Sequence, residues 1–130
     1  MAYGSKITIK NTARSGGLLH SHVQRFPGGS EQQQITTYSH KDSNNEWIVE
    51  KAWGQPARKE DDPVELVQHG DVIRLVHEST KKNLHSHVVP APLTDSENEV
   101  SGYGDGYTES ASLFDPNDNW IIERVDVTWF

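Results

Sequence analysis

The residues best suited to chemistry come in two copies. Leu19-His20-Ser21-His22-Val23 returns as Leu84-His85-Ser86-His87-Val88, a shift of 65 positions, and the copies hold four of the seven histidines. Histidines at i and i+2 share one face of a strand, from which two neutral imidazoles can reach one divalent ion. The chain has no cysteine, and no carboxylate stands in an obvious third-ligand position, so neither a metal nor any other cofactor is expected. Ser21 or Ser86 next to a histidine suggests a hydrolase nucleophile on paper. Neither lies between the glycines of a nucleophile elbow, and an inward-facing serine in a repeated strand reads instead as a packing residue. Asp115-Pro116-Asn117-Asp118-Asn119 echoes a calcium loop, but Trp120 stands where such a loop needs glycine, so the segment reads as an Asx-rich turn.

The elements that must position these residues repeat as well. Gly4-Ser5-Lys6-Ile7-Thr8-Ile9 aligns with Gly70-Asp71-Val72-Ile73-Arg74-Leu75 at a shift of 66, and Gln34 to Tyr38 aligns with Glu99 to Tyr103 at 65. Asp42 to Lys51 then pairs with Asp115 to Arg124 at 73, so the second copy carries eight extra residues between Tyr103 and Asp115. A self-match of this kind marks a duplicated structural unit with insertions in its loops. Each unit reads as four short strands. The first is Lys6 to Lys10, alternating with Ile7 and Ile9 inward. The second carries the histidine motif, with Leu19, Ser21 and Val23 on the inner face and both histidines on the other. The third is Gln34 to Tyr38. After the Asp- and Asn-rich turn comes the fourth, Glu46 to Glu50, whose Trp47, like Trp120 in the second unit, reads as a core anchor. In the second unit, Val72 to His77 is the strongest strand signal, and Gly104 to Leu113, which holds the excess, reads as an exposed loop. The units are placed at residues 3–53 and 69–125, with a linker at 54–68 and the lead-in to a further unit at 126–130. Trp53 and Trp129 fall outside the repeat, where loop tryptophans cover a domain edge or stack on a ligand. No conventional helix is expected.

Composition narrows the function classes. The chain has 130 residues, 33% of them hydrophobic, and a mean hydropathy of −0.74, which suits a small all-β barrel with many polar turns. It has no apolar run long enough to span a membrane. A net charge of −7 argues against a nucleic-acid partner, which would demand clustered Lys and Arg. Met1-Ala2 stands so close to the first unit that the chain reads as a segment of a longer protein.

Leu-His-Ser-His on the second strand and an Asn-rich turn feeding Trp-Ile-Val or Trp-Ile-Ile on the fourth resemble the MIR module. This is a β-trefoil domain shared by protein O-mannosyltransferases, inositol trisphosphate and ryanodine receptors, and stromal-cell-derived-factor-2-like chaperone subunits. Tyr3 to Asn11, Leu18 to His22, Gln32-Gln33-Gln34 with Thr36-Thr37-Tyr38, His69 to Leu75 and Asn83 to His87 resemble most the second subfamily of the mannosyltransferases. The resemblance implies an all-β, β-trefoil fold with two of three repeat units visible in this chain. It also implies a non-catalytic module in the endoplasmic reticulum lumen, carried by a membrane enzyme that moves mannose from dolichyl phosphate to Ser or Thr. In that family the catalytic acid and lipid-sugar site lie in the membrane part. The implied partners are an acceptor protein or peptide or a mannosyl glycan, the enzyme's own membrane domains, and a partner mannosyltransferase subunit. The alternative is a chaperone-like MIR domain binding unfolded clients. A ligand-gating role of the calcium-channel type fits poorly, because a phosphate-rich effector would want a basic pocket. Trefoil units offer one shallow pocket each, built from polar loops and aromatics. The candidate binding residues are therefore His20, Ser21, His22, Gln33 and Asn45 in the first unit, and His85, Ser86, His87, Tyr103, Asp118 and Asn119 in the second. Leu19, Trp47, Leu84 and Trp120 are the structural residues.

Overall fold

The computed structural model describes residues 1–12, 16–92 and 97–123. The lead-in at 126–130, with Trp129, lies outside them. Among the described residues, eight strands form one curled antiparallel sheet: β1 (Lys6–Ile7), β2 (Leu18–Arg25), β3 (Gln33–Tyr38), β4 (Trp47–Lys51), β5 (Val72–His77), β6 (Asn83–Pro90), β7 (Asn98–Tyr103) and β8 (Trp120–Ile121). The pairing order is β1-β4-β5-β6-β7-β3-β2, with β8 also on β5. Each unit contributes a hairpin, β2–β3 or β6–β7, and the two hairpins join through β3–β7, while β4–β5 links the units along five registered pairs from Trp47↔His77 to Lys51↔Ile73. The result is an all-β, trefoil-type half-barrel. Among the described residues, helical structure is limited to three single-turn 3₁₀ segments, and no helix is long and apolar enough to cross a membrane.

The core is Trp47, Val49, Ile73, Leu75 and Leu84, with Ile7, Ile9, Leu19, Ile35, Val100 and Trp120 packed around it. Alternation on β4 and β5 sends these side chains inward. Each fully buried aliphatic chain contributes about 1.5–3 kcal/mol.

Two sequence expectations need correction. The first strand is shorter than Lys6 to Lys10, because the chain changes partner. Lys6 and Ile7 pair with β4, whereas the Ile9 carbonyl accepts the Leu19 amide and Lys10 bridges to Leu18. Nor is Val23 inward: it is 82% exposed. In β2 the register shifts between Ser21 and Arg25, where three intervening residues face one of β3, and β6 has the same irregularity between Ser86 and Pro90. Such a bulge ends the alternation that Leu19 and Ser21 obey.

Candidate functional site

The first histidine of each motif is a buried structural joint. His20 points away from the core side of Leu19 yet is buried, because Tyr38 lies 4.8 Å from its ring and the turn before β4 closes over it. Its Nδ1 donates to Asn45 Oδ1 at 2.7 Å, while Asn45 Nδ2 donates to the His40 carbonyl at 2.8 Å, which fixes the amide's orientation. In the second unit His85 Nδ1 meets Asp118 Oδ1 at 2.7 Å, both side chains are 2% exposed, and Tyr103 lies 4.6 Å from the imidazole. Asp42 and Asp115 make the turns, each accepting the amide two residues on. The Trp47 and Trp120 indoles donate to the Leu19 and Leu84 carbonyls.

The two rings of each His-x-His pair stand edge to face, 72° apart in the first and 86° in the second. Instead of converging on a shared ion, they serve separate partners. His87 Nε2 reaches Glu99 Oε1 at 3.1 Å, and the Gln24 amide approaches His22 Nδ1. Ser21 Oγ accepts from Gln33 Nε2 and donates to the Gln34 carbonyl, so its proton goes to backbone and not to a histidine. Gln33 Nε2 also donates to Thr80 Oγ1. That hydroxyl serves His77 Nδ1, while His77 Nε2 donates to the Asn44 carbonyl. This buried chain links both units. Burial holds His77 below the ordinary histidine value, which favours the neutral ring this pattern requires.

A second link crosses between the units at Glu99, the counterpart of Gln34. Its carboxylate takes the Ser30 hydroxyl, the Ser30 amide and His87. Burial pushes this carboxyl up, but those donors more than offset it, and its pKa lies below the usual glutamate value.

Of the candidate binding residues, His20, Ser21, Gln33, Asn45, His85 and Asp118 are buried, with hydrogen-bonding groups engaged inside the fold. His22, Ser86 and His87 are half-buried, and Asn119 Oδ1 accepts the Trp53 amide. Tyr103 is 41% exposed and lines a groove of about 670 Å³ together with Val23, Arg25, Gln32, Gln33 and Lys82.

Residues outside the candidate set build a larger cleft of about 810 Å³ between the segment after β4 and the loop before Asp115. Trp53 is expected to cover a domain edge or stack on a ligand. Its indole donates to Asp118 Oδ2 at 2.9 Å, stacks on Phe114 with centroids 4.4 Å apart, and is covered by the Arg74 guanidinium at 3.6 Å. The stretch expected to be an exposed loop supplies buried Gly106, whose carbonyl takes Arg74 Nη1 at 2.7 Å. A Cβ at Gly106 would lie 2.5 Å from Val76 Cγ1, so glycine permits this approach. The eight-residue excess of the second unit was the available signal for this feature.

The trefoil-type halves, the Leu-His-Ser-His joints and the tryptophan anchors together define a MIR domain. Residues 16–127 match that family, and the chain belongs to it. It is 50% identical over 127 residues to dolichyl-phosphate-mannose–protein mannosyltransferase 2 of Candida albicans, covering 95% of this chain and 16% of that protein. It is 52% identical to the corresponding mannosyltransferase 3 of Saccharomyces cerevisiae, with 97% and 16% covered. The chain thus spans about a sixth of the length of these relatives, and as a MIR domain it is not the catalytic part of such an enzyme. Among solved structures it superposes on the S. cerevisiae Pmt1-Pmt2 mannosyltransferase complex bound to the sugar donor, with TM-score 0.79, 35% identity, and 95% of this chain and 16% of that one covered. The SDF2-like protein of Arabidopsis thaliana matches with TM-score 0.77 and 35% identity, covering the whole chain and 67% of that structure.

Proposed function

We propose that this MIR domain is a non-catalytic lumenal module of an endoplasmic reticulum protein O-mannosyltransferase. It recognises acceptor protein, bare or mannosylated, while the rest of the enzyme and a partner mannosyltransferase subunit carry out transfer from dolichyl phosphate mannose. The observation that carries this reading is the Tyr103 groove. An exposed aromatic ring, pinned from behind by the His85–Asp118 pair, stands beside Arg25, Lys82 and Gln32. A fixed aromatic surface with a few convergent polar groups suits a hydroxyl-rich peptide or its glycosylated form. The identity to mannosyltransferases supports the enzyme context.

NMR titration with a Ser/Thr-rich peptide, its mannosylated form and an unfolded hydrophobic peptide tests it. The expected result is saturable shifts at Arg25, Gln32 and Tyr103 with the first two, weakened about tenfold by Tyr103→Ala. Response to the hydrophobic peptide alone would replace acceptor recognition with a chaperone-like role.

A further inference from the structure

The Tyr103 groove crosses a row of paired residues on four strands. Arg25 of β2 pairs with Gln33 of β3, Gln33 with Gly102 of β7, and Gly102 with Leu84 of β6. Arg25 therefore stands at one end of the row and Lys82, two residues before Leu84, at the other, with Tyr103 between them. At about 4.8 Å per strand, the ends of the row are about 14 Å apart, a span that two long side chains can close over one bound segment.

These two cations have no task inside the fold. Lys6, Lys51, Arg58 and Lys81 each have a glutamate partner, and Arg74 is buried among acceptors. Neither the Arg25 nor the Lys82 side chain makes an ion pair or hydrogen bond with a described residue. The repeat does not need them either. At the shift of 65, Arg25 corresponds to Pro90 and Lys82 to Gly17. Gln32, which also lines the groove, adds a third donor. Its Oε1 accepts the Ser101 hydroxyl at 2.5 Å, so its amide N–H groups are left for a ligand.

Charge sets this groove apart in a chain of net charge −7. The inter-unit cleft beside Trp53 sets Glu50, Glu60 and Glu109 against Lys51, Arg58 and Arg74, and the groove beside Leu18 sets Asp42 and Glu46 against Lys10 and Lys41. Both are balanced. The Tyr103 groove sets Arg25 and Lys82 against Glu31 alone and keeps one positive charge. Uncommitted donors around an exposed aromatic ring match a carboxylate, which only accepts hydrogen bonds. A single net charge suits this monoanion better than a phosphate dianion.

We infer that the Tyr103 groove selects acceptor segments that carry an Asp or Glu side chain close to the Ser or Thr. The inference rests on the acceptor recognition proposed above and names the class of sequence it favours.

NMR titration of the full 130-residue chain tests it with peptides built on one Ser/Thr-rich sequence, flanked by glutamates, by glutamines or by lysines. A fourth peptide keeps the glutamates and replaces every Ser and Thr by Ala. At low ionic strength the glutamate peptide should bind about fivefold tighter than the glutamine peptide, the scale of two exposed ion pairs, and about 0.5 M salt should remove most of the difference. Arg25→Glu combined with Lys82→Glu, checked for an unchanged urea midpoint, should reverse the order, so that the lysine peptide binds tightest. Equal affinity for the glutamate and glutamine peptides overturns the inference and leaves acceptor recognition standing, as does an order that the double substitution does not change. If the peptide without Ser and Thr binds as tightly as its glutamate parent, the groove reads carboxylate alone, and the proposed function falls while the charge preference stands. The absence of saturable shifts with all four overturns both.

Discussion

The two units place the same histidine against different partners. His20 meets Asn45 and His85 meets Asp118, both at 2.7 Å, beneath equivalent tyrosines and beside equivalent tryptophans. The second atom of each partner tells them apart. Asn45 has a donor left and spends it within its own unit, on the His40 carbonyl. Asp118 has an acceptor left and spends it on the Trp53 indole, which follows β4 of the first unit, and neighbouring Asn119 takes the Trp53 amide. The first joint is closed within its own unit. The other is built to hold its neighbour's tail, and the inter-unit cleft forms around that hold. Duplication has kept the joint and changed what its outer atom can bind.

The largest test compares the anchors. Trp47 is fully buried at the centre of the core, so Trp47→Ala should cost about 3–5 kcal/mol in urea unfolding. Trp120 is half-buried at the edge of β8, and its replacement should cost less than about 3 kcal/mol. Equal losses would break the view that the first unit's anchor carries the shared core.

Exchanging the joint residues probes the difference itself. Asp118→Asn can keep an oxygen for His85 only by turning its amide N–H toward the Trp53 N–H, leaving two donors opposed, at a cost of about 1–3 kcal/mol. Asn45→Asp sets a carboxylate oxygen against the His40 carbonyl, with a penalty of the same order. The Trp53 indole proton resonance separates them. It should move strongly in Asp118→Asn and stay in place in Asn45→Asp; movement in both would mean that the joints are coupled and the first is not closed within its own unit.

Acidification should loosen the links between units in two steps. His77 is held by burial below its ordinary 6.5, with the charges of His20, His22 and Glu78 around it. Its neutral form contributes stability that is complete above about pH 6.5 and is lost as pH falls below that through its lowered folded value. Glu99 is held below 4.5, so its contribution is complete above that pH and is lost on further acidification. In unfolding midpoints measured against pH, His77→Gln should flatten the first step and Glu99→Gln the second. A first step that survives His77→Gln would assign it to another histidine.

The repeat, the strands and the tryptophan anchors were legible because each is written locally, in alternation, turn residues and a constant shift. The pairings that give the molecule its site were not. Trp53 finds Asp118 65 positions away, Ser30 finds Glu99 across 69, and Gln33 finds Thr80 across 47. None leaves a mark in the sequence around either partner, because the fold alone brings them together. The candidate binding residues are polar groups near a motif, and the fold draws most of them inside to satisfy buried atoms. Tyr103, at the end of β7, stays at the surface beside Val23 and Arg25 of the β2 bulge. The cleft had one written trace, the uneven shift between Tyr103 and Asp115, but length alone does not say which wall an insertion builds.

The smallest expected effect bears on the equivalence of the bulges. Val23 and Val88 occupy the same place in the two motifs, 82% and 90% exposed, since each strand loses its alternation after the serine. Val23→Ser and Val88→Ser should each change stability by no more than about 0.5 kcal/mol, because neither removes a buried contact. Their surroundings differ. Val23 borders the Tyr103 groove, whereas Val88 lies outside the residues lining it. Val23→Ser should therefore weaken binding of the mannosylated peptide by about threefold, the scale of losing one partly covered methyl pair, while Val88→Ser leaves it unchanged. A cost above about 1 kcal/mol in either variant would mean that the valine is covered in solution, and that the two bulges, alike in backbone, present different surfaces to a partner.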